Sequence, residues 1–224
     1  MKIIKASYQI LTPIDGEEIL QTIESAGRIC YKSEKRITKE SSESFVKNLL
    51  NRQHETPLEH ISISVKFVCD RGILAEITRH RIASFNVEST RYCNYSKDKF
   101  GGELTFIEPC FWHDYPRNMI NKPDTYQTEI YMYTIWKNTC QKAEKAYLQL
   151  LEEGATPQEA RSILPNSLKT EIIMTANLRE WRHFFKLRTA IDAHPQMREI
   201  TIPLLNELKE KIPIIFDDIQ GGNN

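Results

Sequence analysis

Apolar and polar positions alternate along this chain in ways that mark out its elements. Residues 2–11 read as a strand, and Ile19, Leu20, Ile23 and Ala26 recur at helical spacing over Gly16–Ile29. A second helix is predicted over 39–52. Ile61, Ile63, Val65 and Phe67 then alternate with Ser62, Ser64, Lys66 and Val68, the period of a half-buried strand. Asp70 can cap a helix running to about Arg81, with Ile73, Leu74 and Ile77 turned inward. That reading puts Arg79, His80 and Arg81 at the helix C-terminus, where the dipole favours cations.

RHRIASFNVESTRYCNY, residues 79–95, reads as an irregular, partly exposed stretch. Further on, 104–107 is a short strand candidate, and 126–153 is a long helix stopped by Gly154. Thr156 and Pro157 open another helix, TPQEARSIL, which Pro165 closes. Residues 168–175 look like strand, 178–189 like helix, and 200–211 like a closing helix. The class is α/β of the α+β type, with helices flanking a sheet. Its 224 residues can bury one sizeable core, so 1–220 is expected to be a single domain and GGNN, 221–224, a disordered tail.

Charge narrows the function. Lys and Arg total 30 and Asp and Glu total 30, which argues against a protein that coats nucleic acid or an anionic membrane. Any anion site must be local. No stretch reaches membrane-spanning length and the start lacks a secretory apolar run, so a cytoplasmic protein is expected. Five cysteines, never in a C-x-x-C pair, suggest reduced thiols rather than a disulfide framework.

Several segments carry candidate chemistry. HETPLEH, 54–60, spaces its histidines six apart with Pro57 between them, which does not suit the H-E-x-x-H zinc helix, and no metal site is expected. It reads as a turn that is either solvated or presents His54 and Thr56 to a ligand. Gly101-Gly102 lacks the context of a phosphate loop, so phosphates would have to meet side chains. In ANLREWRHFFKLRT, 176–189, one helical stripe holds Trp181, Phe184, Phe185 and Arg188. Another holds Arg179, Arg182, His183 and Lys186, either a solvated basic face or one that meets phosphate. Arg188, on the aromatic stripe, needs a partner if buried. Arg161 is expected in the first turn of its helix, where the dipole disfavours a cation. Three separated arginine-bearing segments suggest several phosphates, or one ligand held by more than one subunit, because guanidinium forks match phosphate geometry.

RHRIASFNVESTRY resembles the R-H-R-x7-S signature of the flavin-dependent thymidylate synthases, with Arg79, His80 and Arg81, seven residues, Ser89, then Arg91-Tyr92. HETPLEH, A-R-x-x-L-P over 160–165, and Asn177, Arg179, Leu187 and Arg188 extend the resemblance in order over nearly the whole chain. It implies a twisted antiparallel sheet flanked by helices and a homotetramer whose active sites form where subunits meet. It also implies FAD, the substrate dUMP, methylenetetrahydrofolate as carbon donor, NADPH as reductant, and dTMP as product. Carried over by position, His54, Thr56, Arg79, His80, Arg81, Asn177, Arg179 and His183 fall on the FAD side. Glu76, Arg79, Ser89, Thr90, Arg91, Arg161 and Arg188 fall on the dUMP side, with Arg188 against the uracil and Ser89 beside the flavin.

Departures from the family pattern are local. Val87 stands where a Glu is frequent, with Glu88 one place on, so both join the substrate-side candidates. Glu76 replaces a frequent Gln, His183 a frequent Asn, Asp192 a His with His194 nearby, and Cys30 a Ser near the flavin. The sequence also admits two rivals: a single-stranded nucleic-acid module that stacks bases on Trp181 and Phe184, and a flavin and nucleotide binder without methyltransferase activity.

Overall fold

In the computed structural model, which describes residues 1–112 and 123–222, the predicted first strand is two, β1 (Lys2–Ile4) and β2 (Ser7–Ile10). There follow α1 (Gly16–Ile29), α2 (Ser41–Asn51), β3 (Ser62–Asp70), α3 (Arg71–Ile77), β4 (Ser84–Val87) and β5 (Thr105–Ile107). The rest is α4 (Pro123–Glu152), α5 (Pro157–Ala160), β6 (Lys169–Asn177), α6 (Leu178–Arg188), α7 (Pro195–Lys211) and α8 (Pro213–Phe216). One sheet has the order β2, β3, β6, β4. β1 and β5 form a separate parallel pair, with Lys2 opposite Thr105 and Ile4 opposite Ile107. The split of the first strand follows from these two allegiances. β3 and β6 run antiparallel: Leu178 N donates to Ile61 O, Ser64 Oγ lies 2.8 Å from Thr175 Oγ1, and Arg71 N donates to Asn166 O.

The chain forms two compact units, each from three segments. The first comprises Met1–Ser7, Val68–Thr78 and Asn86–Ile172, the second Tyr8–Phe67, Arg79–Phe85 and Ile173–Asn224. In the first unit, Leu104, Phe106, Cys140, Tyr147, Ala160 and Leu168 form the core. Asp70 caps α3 through Ile73 N at 2.8 Å, as its position predicts. The helix nevertheless stops at Ile77, with Thr78 as its C-cap and the Thr78 N–H bonded back to Leu74 O. The Arg79–Arg81 run therefore lies beyond the helix rather than in its last turn. α5 opens on a capping box between Thr156 and Glu159 and gives way after one turn to a 3-10 turn, Arg161–Ile163. Arg161 thus sits past the end of α5, where the dipole no longer opposes a cation.

In the second unit the inward residues of β3, Ile63, Val65 and Phe67, and those of β6, Met174 and Ala176, are buried. The aromatic stripe of α6 is buried as well: Trp181, Phe184 and Phe185 are 0% exposed. The Trp181 indole N–H donates to Ile63 O at 3.0 Å, which satisfies its polar atom in that apolar setting. α7 starts five residues before its predicted beginning, on Pro195, and α8 adds Phe216 against Phe185 at 5.7 Å between ring centroids. At the tail, Gly222 N donates to Thr189 O at 3.2 Å, while Asn223 and Asn224 lie outside the described residues.

Candidate active site

The second unit holds a cavity of about 830 Å3, within the usual range for a bound cofactor. Three short segments converge on it: the run after α3, the 3-10 turn Thr56–His60 with its neighbour Glu55, and the exposed side of α6. The α6 side is set by its cap, since Asn177 Oδ1 accepts from Glu180 N at 2.9 Å and fixes where the helix begins. At its other end, Thr201 Oγ1 donates to Arg188 O at 2.9 Å. Arg79, His80, Arg81, Asn177, Arg179, His183 and Arg188 all line this cavity. Their convergence joins two motifs nearly a hundred residues apart.

The cations of the cavity differ in their commitments. Arg179 Nη1 lies 2.5 Å from Glu59 Oε1, so this guanidinium already faces a carboxylate. Glu59, by hydrogen bond and charge, pushes the Arg179 pKa upward. Arg182, read from its spacing as part of a solvated or phosphate-facing stripe, is 3% exposed and turns inward to Glu55, Asp218 and the Ile215 carbonyl. It is a structural cation. Arg79 and Arg81 are exposed and form no ion pair among the described residues. Two guanidinium groups without an ion pair on one cavity can receive an anion, in a chain of zero net charge and beside the paired acids Glu55, Glu59 and Glu180.

His80 is buried and both ring nitrogens are used. Nδ1 lies 3.0 Å from Glu180 Oε1, and Nε2 accepts from Arg188 Nε at 3.1 Å. The Phe184 ring packs edge-on at 4.8 Å between centroids. Burial holds the imidazole pKa below its ordinary value, with Arg188 and His183 acting in the same sense and Glu180 opposing them. No ring nitrogen is left for a ligand, so His80 reaches the cavity only through its carbon edge or backbone. His80, Glu180 and His183 place potential ligand atoms within 4.8 Å of one another, yet in this arrangement the His80 lone pair is already taken by Arg188.

His54 and Thr56 flank Glu55 but do not line the cavity. The Tyr31 hydroxyl lies 3.3 Å from His54 Nδ1, which brings the segment next to Cys30 to the same turn. The other candidates belong to the first unit. Arg161 Nη1 donates to the buried Thr90 hydroxyl at 3.4 Å, uniting the A-R-x-x-L-P and R-H-R segments. Ser89 Oγ accepts from Arg91 N at 3.3 Å. Val87 is exposed, whereas Glu88 accepts from the Tyr95 hydroxyl at 2.8 Å and from Lys169 Nζ at 2.9 Å and is internally committed. Glu76 is half-buried on α3. Sequence reasoning missed Glu55, Glu59 and Glu180 as lining residues, and it took Arg182 for a solvated or phosphate-facing cation rather than a buried one. An acid in the first turn of a helix reads as dipole compensation, and only tertiary contact gives Glu180 its histidine.

Trp181 and Phe184 are 0% exposed, so neither ring offers a face on which a base could stack. Among the described residues, no helix is long and apolar enough to cross a membrane. Compared with known families, the chain matches the model described as thymidylate synthase complementing protein over residues 14–214. It is 30% identical over 208 residues to a flavin-dependent thymidylate synthase from Pyrococcus furiosus, covering 90% of this chain and 77% of that one. It is 32% identical over 199 residues to one from Haloarcula marismortui, covering 83% and 79% of the two chains. A Geobacter sulfurreducens protein of the same description is 28% identical over 204 residues, covering 88% and 80%.

Proposed function

The chain belongs to the flavin-dependent thymidylate synthase family, and on that premise we propose that it makes dTMP by reductive methylation of dUMP and holds FAD in the cavity of its second unit. Methylenetetrahydrofolate is the carbon donor and NADPH the reductant. The observation that carries the placement of FAD is the pair of guanidinium groups without an ion pair among the described residues, Arg79 and Arg81, facing a cavity of about 830 Å3. A dinucleotide brings a diphosphate that suits their forks and rings that suit the remaining space. Asn177 spends its carbonyl oxygen on the helix cap, which leaves its amide N–H groups as donors.

FAD, once bound, supplies the reducing equivalents that complete the methyl group. The work of the chain is to hold and polarise. Arg188 lies beside the uracil in this reading, where a fixed cation favours the ionised ring and makes C5 the better nucleophile. Ser89, Thr90, Arg91 and Arg161 bind dUMP, with the contact between Arg161 and Thr90 holding two of them in register. Glu88 is a support for this segment through Tyr95 and Lys169.

The assembly in this reading is a homotetramer in which the dUMP-side residues of one copy complete the cavity of another. Large exposed apolar side chains support surfaces covered by further copies, with Ile82 70%, Tyr92 78% and Tyr131 67% exposed. Residues 1–220 are taken as one domain, in keeping with a single family match over 14–214, and the four-stranded sheet as antiparallel and twisted, in keeping with the antiparallel run of β3 against β6. A cytoplasmic setting accords with five cysteines that are all thiols.

Purified protein should be yellow, release tritium from C5 of labelled dUMP, and form dTMP when given methylenetetrahydrofolate and NADPH. Protein that takes up no FAD and forms no dTMP overturns the reading. Protein that binds FAD without forming dTMP retains the cavity assignment and loses the activity.

A further inference from the structure

We propose that Glu180 is a positioning residue that orients Arg188 by fixing the tautomer of the His80 ring between them. The inference rests on the reading of Arg188 as the cation beside the substrate uracil. Glu180 Oε1 and His80 Nδ1 are 3.0 Å apart, and His80 Nε2 and Arg188 Nε are 3.1 Å apart, so the three side chains form an unbroken row.

The donor inventory allows one arrangement of protons along it. An ionised carboxylate only accepts, and a guanidinium Nε–H only donates. The imidazole must therefore carry its proton on Nδ1 and present a lone pair at Nε2. With Nδ1–H directed at Glu180, the lone pair is held towards Arg188. If the proton moved to Nε2, two N–H groups would face each other and the bond from Arg188 Nε to His80 would be lost.

The row is built rather than incidental. Glu180 is 7% and His80 4% exposed, and Phe184 packs against the imidazole edge. Glu180 is itself anchored, since its backbone N–H is held by the Asn177 cap. Arg188 is only half-buried and sits in the last turn of α6, where a long side chain has rotamer freedom to lose. Commitment of its Nε edge to His80 removes part of that freedom before substrate arrives. A buried acid that fixes the tautomer of a histidine in contact with the working group has the logic of an outer-shell carboxylate at a metal site, with a guanidinium in place of the metal.

The test uses the full-length, FAD-loaded protein. Glu180→Leu removes the acceptor, whereas Glu180→Gln keeps an oxygen that can take the Nδ1 proton. The leucine variant should lose on the order of 10- to 100-fold in kcat for dTMP formation, with FAD content and KM for dUMP little changed. The glutamine variant should stay within about threefold of the parent, because it preserves the same hydrogen bond. The 15N shifts of labelled His80 should report Nδ1–H in the parent and the glutamine variant, and loss of that single tautomer in the leucine variant. Should the leucine variant fail to fold, Glu180→Asp withdraws the carboxylate by one methylene and makes the same comparison. A parent His80 protonated on Nε2 or on both nitrogens overturns the proposal. So does a glutamine variant as slow as the leucine one, or a leucine variant with unchanged kcat and tautomer. If the parent forms no dTMP, the family reading of Arg188 fails, and the His80 spectra still decide whether Glu180 sets the tautomer.

Discussion

Arg182 and Asp218 form a two-pronged ion pair, Nη1 to Oδ1 at 2.6 Å and Nη2 to Oδ2 at 2.7 Å. The arginine is buried and also meets Glu55 at 3.2 Å. One guanidinium therefore ties α6 both to the chain after α8 and to the approach to the Thr56–His60 turn. Asp218→Ala leaves Arg182 with Glu55 and the Ile215 carbonyl, so its charge is not stranded. Asp218 is itself half-exposed and screened by solvent. The expected loss is about 1–2 kcal/mol, read as a lower urea midpoint by circular dichroism. An unchanged midpoint would remove the pair from the account of stability.

The same pair sets a pH dependence. The Arg182 hydrogen bond lowers the Asp218 carboxyl below its ordinary value of 3.8, against an opposing contribution from burial. A carboxylate with a depressed folded pKa binds fewer protons folded than unfolded. Its stabilisation is fully present above the unfolded value and is lost as pH falls through the folded one. The stability of the parent should therefore decline below about pH 4, and Asp218→Asn should flatten that part of the curve. Parallel curves for the two proteins would contradict the assignment.

The pair between Arg179 and Glu59 competes with any anion that enters the cavity. Exposed pairs of this kind contribute about 0.2–1 kcal/mol. Glu59→Gln releases Arg179 from that partner and should tighten FAD binding by up to about fivefold, measured by titration of flavin fluorescence. Weaker binding would mean that Glu59 itself holds the ligand or the turn.

The fold was legible where one face of an element is buried. β3, β6 and the aromatic stripe of α6 show strict periods because every second or every third to fourth side chain enters the core. β4 was not legible, since Ser84, Asn86 and Val87 are exposed and only Phe85 hints at a buried face. The end of α3 was not legible either, since neither Gly nor Pro follows Ile77 to signal a stop. The arginine motifs were legible as a group, but their division was not. Arg182 finds Asp218 thirty-six residues on and Glu55 on another turn, while Arg79 and Arg81 find no such acid among the described residues. Linear spacing has no means of separating these cases.

Ser89 stands at the end of the R-H-R-x7-S signature and invites a nucleophilic role. An activated hydroxyl needs a base within hydrogen-bond reach. The partner of Ser89 Oγ among the described residues is the backbone N–H of Arg91, which cannot accept a proton. Ser89→Ala should accordingly weaken dUMP binding and retain measurable dTMP formation. Complete loss of turnover with dUMP affinity intact would reverse the assignment and make Ser89 the attacking group.

Arg188→Lys separates charge from geometry at the substrate side. Lysine keeps a cation in the last turn of α6, yet it has no Nε–H edge for His80 and no planar fork for a uracil edge. If charge alone favoured the ionised ring, the lysine variant would turn over nearly as well as the parent. The half-buried setting and the 3.1 Å bond to a neutral His80 argue that orientation matters as much. Turnover should then fall by about 10²- to 10³-fold, the cost of misplacing one electrostatic donor. FAD content should remain within about twofold if, as proposed, Arg79 and Arg81 rather than Arg188 meet the flavin diphosphate. A lysine variant with unchanged turnover rules out a geometric role for Arg188, and one that loses FAD in proportion to activity moves the residue to the flavin.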